Sequence, residues 1–146
     1  ISICENIKDP KYPVNLERES CYFKVARAKN DVTLCNKISP GGMDECYTVI
    51  AINLKDPFVC DKVTDVLEST QFPDDDSRLS ATYTLEEIKD RCLLNYIGSV
   101  STEKETNICE KIKNIRFKDD CYFIVAEQNE DVSICKKLAI RGIYLL

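Results

Sequence analysis

Nine cysteines and no histidine are the residues from which any chemistry of this chain must be argued. A thiol can act as a nucleophile, ligate a metal or close a disulfide, and the first two roles leave spacing signatures. None is present: no Cys-x-x-Cys occurs, so zinc knuckles, c-type haem attachment and the usual iron-sulfur patterns are missing. Without histidine, Ser-His-Asp and Cys-His nucleophilic catalysis fall away too. Paired carboxylates can hydrolyse glycosides, but nothing in the pattern of acids marks a pocket. No catalytic residue, metal ligand or cofactor is therefore assigned, and an enzyme is not expected. Asp74-Asp75-Asp76-Ser77 is oxygen-rich, yet it lacks the alternate-residue ligands and following glutamate of a calcium loop. A solvated acidic turn is the favoured reading, and cation binding there stays open. The cysteines are read as disulfides, which places the chain in an oxidising setting and predicts an exported, extracellular protein.

Composition agrees. The chain has 146 residues, 44% hydrophobic and 31% charged, with a net charge of -5, which is ordinary material for a single domain. Its lysines alternate with acids and form no basic field, so nucleic acid is not an expected partner. No apolar run approaches the roughly 20 residues that span a bilayer. The chain opens at Ile1 without an initiator Met, as expected of a protein whose leader has been removed or of a fragment.

The elements that must position the cysteines come from an internal repeat. Cys21-Tyr22-Phe23-Lys24-Val25-Ala26 followed by Asp31-Val32-Thr33-Leu34-Cys35-Asn36-Lys37-Ile38 returns as Cys121-Tyr122-Phe123-Ile124-Val125-Ala126 followed by Asp131-Val132-Ser133-Ile134-Cys135-Lys136-Lys137-Leu138. A second copy in chain order runs from Cys46-Tyr47 to Asp56-Pro57-Phe58-Val59-Cys60-Asp61-Lys62-Val63, and a looser third from Cys92-Leu93 to Ile108-Cys109-Glu110-Lys111-Ile112. Ile3-Cys4-Glu5-Asn6-Ile7 is an orphan second half. Residues 1–146 thus read as one domain of four helix-pair repeats preceded by a half-repeat, with a polar insertion at about 64–83.

In each first half Cys, Cys+1, Cys+4 and Cys+5 are apolar or small, which is one buried helical stripe. Alanine at the last position (Ala26, Ala51, Ala126, but Ile97) suits close helix approach. In each second half the residues before the cysteine and three after it are apolar. Asp31, Asp56 and Asp131 stand where a side chain caps a helix, and Pro57 follows at the first helical position. Thr84 and Glu87 form a capping-box pattern that predicts an early start and a longer helix before Cys92. The fold class is all-α: disulfide-stapled tandem helix pairs with helices of about eight to fourteen residues, as a short α-solenoid or compact helical array.

Helix geometry selects the pairing. Disulfide partners have Cα atoms about 4.4 to 6.8 Å apart, so they should lie equally far from a turn. Cys21 is about nine residues before the turn near Asn30 and Cys35 about five after it, a mismatch of roughly 6 Å. Around Ser39-Pro40-Gly41-Gly42, Cys35 and Cys46 are matched, as are Cys109 and Cys121 around Asn114 and Ile115. The staples therefore join successive repeats: Cys4 with Cys21, Cys35 with Cys46, Cys60 with Cys92, and Cys109 with Cys121. Cys135 is left unpaired or intermolecular. Tyr22, Tyr47 and Tyr122 lie on the buried stripe and read as core. In the tail, Ile143, Tyr144, Leu145 and Leu146 cluster past the last helix; they either fold back on the array or enter a neighbouring molecule, and are candidate interface residues.

This array resembles cysteine-rich Sel1-like and tetratricopeptide-like repeat proteins. It looks closer to archaeal exported proteins carrying Cys-x-Lys-Ile and Asp-x-Cys-Tyr repeats, through Cys109-Glu110-Lys111-Ile112 and Asp119-Asp120-Cys121-Tyr122. Its unit is shorter than in the first two families and lacks their glycine-rich turn signature. The resemblance implies protein interaction and no chemistry. A stapled modular body, an odd cysteine and an uncovered apolar tail together point to a secreted structural or assembly protein, such as a subunit of an extracellular filament or surface layer, with itself as partner. The alternative is a soluble extracellular module that binds a protein or other ligand on its helical surface.

Overall fold

Each repeat is built from one long α-helix and one short return leg, and the local chemistry of the chain sets both. The computed structural model describes residues 2–7, 16–64, 84–100 and 106–139. Asp74–Asp76 and the tail residues Ile143, Tyr144, Leu145 and Leu146 lie outside the described residues, as does the insertion beyond Thr64 as far as residue 83. Among the described residues every regular element is helical: α1 (Ser2–Glu5), α2 (Leu16–Lys29), the 3-10 helix η1 (Val32–Lys37), α3 (Pro40–Leu54), η2 (Pro57–Lys62), α4 (Leu85–Ser99), α5 (Thr106–Lys111), α6 (Ile115–Gln128) and η3 (Val132–Lys137). The long helices α2, α3, α4 and α6 carry the first cysteine of each repeat. The legs η1, η2, α5 and η3 carry the second.

The return legs are shorter than the expected eight to fourteen residues. Each has six, and three of the four are 3-10 helices. A 3-10 helix rises about 2.0 Å per residue against about 1.5 Å in an α-helix, so a short leg travels further back along the long helix. Its three-residue turn also stacks the cysteine on the apolar residue that follows three later. The N–H of Ile7, Ile38, Ile112 and Leu138 accordingly donates to the carbonyl of Cys4, Cys35, Cys109 and Cys135.

Three of the four long helices end alike. Asn30, Lys55 and Glu130 adopt left-handed backbone conformations with φ near +50°, and the next residue's N–H reaches back from Asp31 to Ala26, from Asp56 to Ala51 and from Asp131 to Ala126 at 2.9–3.0 Å. This is a Schellman closure made without glycine. The same aspartates then cap the return legs, accepting from the N–H of Thr33, Phe58 and Ser133. One residue thus ends one helix and begins the next.

Two further expectations change. Pro40, Gly41 and Gly42 form the first turn of α3, with Ser39 as N-cap, so the connection is only Ile38-Ser39. The proline's fixed φ suits the first helical position. Thr84 and Glu87 do form a reciprocal capping box, but α4 has 15 residues, as α3 does. An early start does not lengthen the helix, because α4 stops at Val100 without the left-handed closure of the others.

Ser39 meets Glu19 at the start of α2, Asn53 meets Asn30 at its end, and Gln128 donates to Ile97. Hence α2 and α3 run parallel, as do α4 and α6, with the return legs between them. One apolar core, from Cys4 through Tyr47, Ile97 and Tyr122 to Ile134, threads all four repeats.

Candidate functional site

The repeat boundary is where the chain's reactive residues gather. The structure closes Cys4–Cys21, Cys35–Cys46, Cys60–Cys92 and Cys109–Cys121, with Cα separations of 5.5, 5.6, 5.7 and 5.6 Å. Each joins a return leg to the next long helix, and none lies within a repeat. Cys135 is free and half-buried. Four disulfides belong to a non-cytoplasmic, oxidising setting.

Beside two of the bridges, the residues that follow the paired cysteines also meet. The Tyr47 hydroxyl donates to Asn36 Oδ1 at 2.8 Å, and the Tyr122 hydroxyl donates to Glu110 Oε1. Both tyrosines are buried, so each ring is core while its hydroxyl finds a partner at the rim. At Cys60–Cys92 the equivalent of tyrosine is Leu93, and Asp61 instead holds Lys111, whose ammonium lies 3.2 Å from the carboxylate and 3.9 Å above the Phe58 ring. Burial first, and then the adjacent Glu110 carboxylate, push the Tyr122 phenol above its usual range. Donation from Tyr122, aided by Lys118 and Lys137, holds the Glu110 carboxyl below its ordinary value.

A second set of boundary residues escaped the sequence reading. An acid stands two residues before the cysteine of every long helix: Glu19, Asp44, Asp90 and Asp119. Three reach forward to the point where the following return leg ends. Glu19 accepts from Ser39 Oγ at 2.9 Å, and Asp119 accepts from Ala139 N at 2.9 Å. Asp90, fully buried, accepts from Lys113 N and Asn114 N at 2.7–3.1 Å. Asp44, also buried, pairs with Arg91 Nε at 3.0 Å, tying α3 to α4. These carboxylates are clasps. The buried charge of Asp90 is matched by backbone N–H groups and that of Asp44 by a guanidinium, as such burial requires. The signal that could have found them is the recurring acid-x-Cys spacing.

Among the described residues no group of three or more Cys, Asp or Glu side chains is placed to hold a metal ion, and no helix is long and apolar enough to cross a membrane. What the boundary geometry does is dock one long helix on the preceding return leg. Among the described residues, the fourth repeat leaves this docking surface open. Phe23 and Val32 pack half-buried against the core, and Cys35 and Ile38 are buried beneath α3. In the fourth repeat Phe123 is 59% exposed and Val132 84%, while Cys135 and Leu138 are half-buried. Position Cys+2 makes the point repeatedly, since Thr48 is buried against α4 and donates to the Cys92 carbonyl.

No family model, curated protein or solved structure matches the chain. The likeness to Sel1-like, tetratricopeptide-like and archaeal exported repeats rests on the motifs quoted above.

Proposed function

We propose that this chain is a structural or assembly protein that works outside the cell by protein contact and without catalysis, with another copy of itself as first partner. An extracellular filament or surface layer is the setting that such a body suits. The observation that carries the reading is the open face of the fourth repeat. Phe123 and Val132 stand exposed where Phe23 and Val32, on nearly the same sequence, pack half-buried against the core. An apolar face that is open among the described residues of a covalently braced array supports contact with a further protein.

The test is the mass of the oxidised protein by size-exclusion chromatography with light scattering over a hundredfold concentration range, with electron microscopy of the largest species. Self-association that disappears in a Phe123→Ser, Val132→Asp double variant, with unchanged helix content, supports the proposal. A monomer at every concentration would sink assembly and leave the second reading, a module that offers the same face to a different protein.

A further inference from the structure

We propose that copies of this chain join head to tail, the open face of α6 and η3 in one copy receiving the outer face of α2 in the next. The inference rests on the assembly reading above and adds to it a second surface and a direction. Burial at equivalent positions of the four repeats carries it.

In three repeats the long helix buries its cysteine and the residue four after it: Cys46 and Ile50, Cys92 and Tyr96, and Cys121 and Val125 are each at most 2% exposed. In α2 the same positions, Cys21 and Val25, are only half-buried. The neighbouring stripe of α2 is intact, since Tyr22 and Ala26 are buried like Tyr47 and Ala51. The difference lies in what precedes the helix. Each of α3, α4 and α6 follows a long helix, whereas among the described residues α2 follows only the four-residue α1. The side left open is a groove whose lining includes Ile7, Leu16, Ser20, Cys21, Lys24 and Val25. It lacks a preceding long helix.

The fourth repeat has the converse gap. The cysteine of the return leg and the residue three after it are buried in the first three repeats, as Cys35 and Ile38, Cys60 and Val63, and Cys109 and Ile112. Cys135 and Leu138 are half-buried. Among the described residues they lack a following long helix.

Every interior boundary brings one such pair of faces together, at α2 with α3, α3 with α4 and α4 with α6. A second copy is the partner that carries both. Joining unlike faces leaves one of each still free, so the contact is heterologous and repeats from copy to copy. Apolar side chains stand exposed on both sides of it, Ile3 and Leu16 at one end and Phe123 and Val132 at the other. The junction holds two legs, α1 and η3, where an interior boundary holds one, so the copies meet leg on leg as well as helix on helix. No disulfide closes it, because Cys21 is already bonded to Cys4.

The experiment is complementation between oxidised full-chain variants, read by size-exclusion chromatography with light scattering, with helix content and the four disulfides checked on each. Leu16→Asp with Ser20→Arg blocks the α2 face at two exposed positions, and Phe123→Ser with Val132→Asp blocks the other face. At concentrations where the parent associates, each double variant alone should stay monomeric. Equal amounts of the two should give dimers and nothing larger, since one intact junction remains. An α2-face variant that associates as the parent does overturns the head-to-tail inference and leaves assembly through the fourth repeat standing. Two monomeric variants that fail to pair on mixing overturn it as well. A parent that is monomeric at every concentration removes the inference together with the assembly reading.

Discussion

Residues 21–38 and 121–138 are nearly the same sequence folded the same way, yet among the described residues only the first is followed by a further long helix. Both begin on a long helix, close through a left-handed residue and a capping aspartate, and finish on a 3-10 leg. The difference lies entirely in what comes next. With α3 laid over it, the first repeat buries Cys35 and Ile38 completely; the fourth leaves Cys135 and Leu138 half-covered by the described residues. Local sequence therefore dictates the shape of a repeat, while its stability is lent by the neighbour, as expected of quasi-one-dimensional arrays.

The sharpest test is covalent. Replacing Cys35 and Cys46 together with serine should cost about 3 kcal/mol, from the freed loop in the unfolded chain, measured by urea denaturation of the oxidised protein. Cys135→Ser should change the midpoint by less than about 0.5 kcal/mol equivalent. A comparable loss from both would mean that Cys135 is bonded after all. Next in size is the apolar contact. Ile38→Ala removes a buried side chain and should cost about 3 kcal/mol, against about 1 kcal/mol for Leu138→Ala. If the two losses were equal, the last face would be as well packed as the first along its whole length.

The smallest effect separates the second boundary from the fourth by pH. Tyr47 meets the neutral Asn36, but Tyr122 meets the Glu110 carboxylate, whose folded value lies below its unfolded one. That contribution is present above the ordinary carboxylate range and is lost as pH falls through the lowered value. Tyr122→Phe should therefore raise the Glu110 titration midpoint, read by side-chain carboxyl NMR, and flatten the acid limb of stability. Tyr47→Phe should leave that limb unaltered.

Much of this architecture was legible because cysteine is rare and its partner has to be close. The recurring Cys-Tyr and Asp-x-x-x-Cys intervals reveal the repeat, and the pairing between successive repeats follows from it, although the turn used to match Cys35 with Cys46 is displaced to Ile38-Ser39. The return legs were harder: over six residues a three-residue and a 3.6-residue period predict the same apolar positions, so Leu34, Cys35 and Ile38 do not distinguish them. Gly41 and Gly42 resemble turn residues and instead begin α3, where Gly42 lets the helix approach Ile38. The carboxylate clasps were hidden for another reason. Asp90 looks like any surface acid until its partners at Lys113 and Asn114, more than 20 residues away, are brought beside it.

The order of the bridges has a consequence for how such a chain is made. Cys4–Cys21, Cys35–Cys46, Cys60–Cys92 and Cys109–Cys121 form four loops that follow one another without nesting or crossing. For a chain emerging N-terminus first into an oxidising compartment, each unpaired thiol's native partner is simply the next cysteine to appear. Oxidation in order of emergence thus yields the correct connectivity with no reshuffling, and the ninth thiol arrives when every earlier one is already taken.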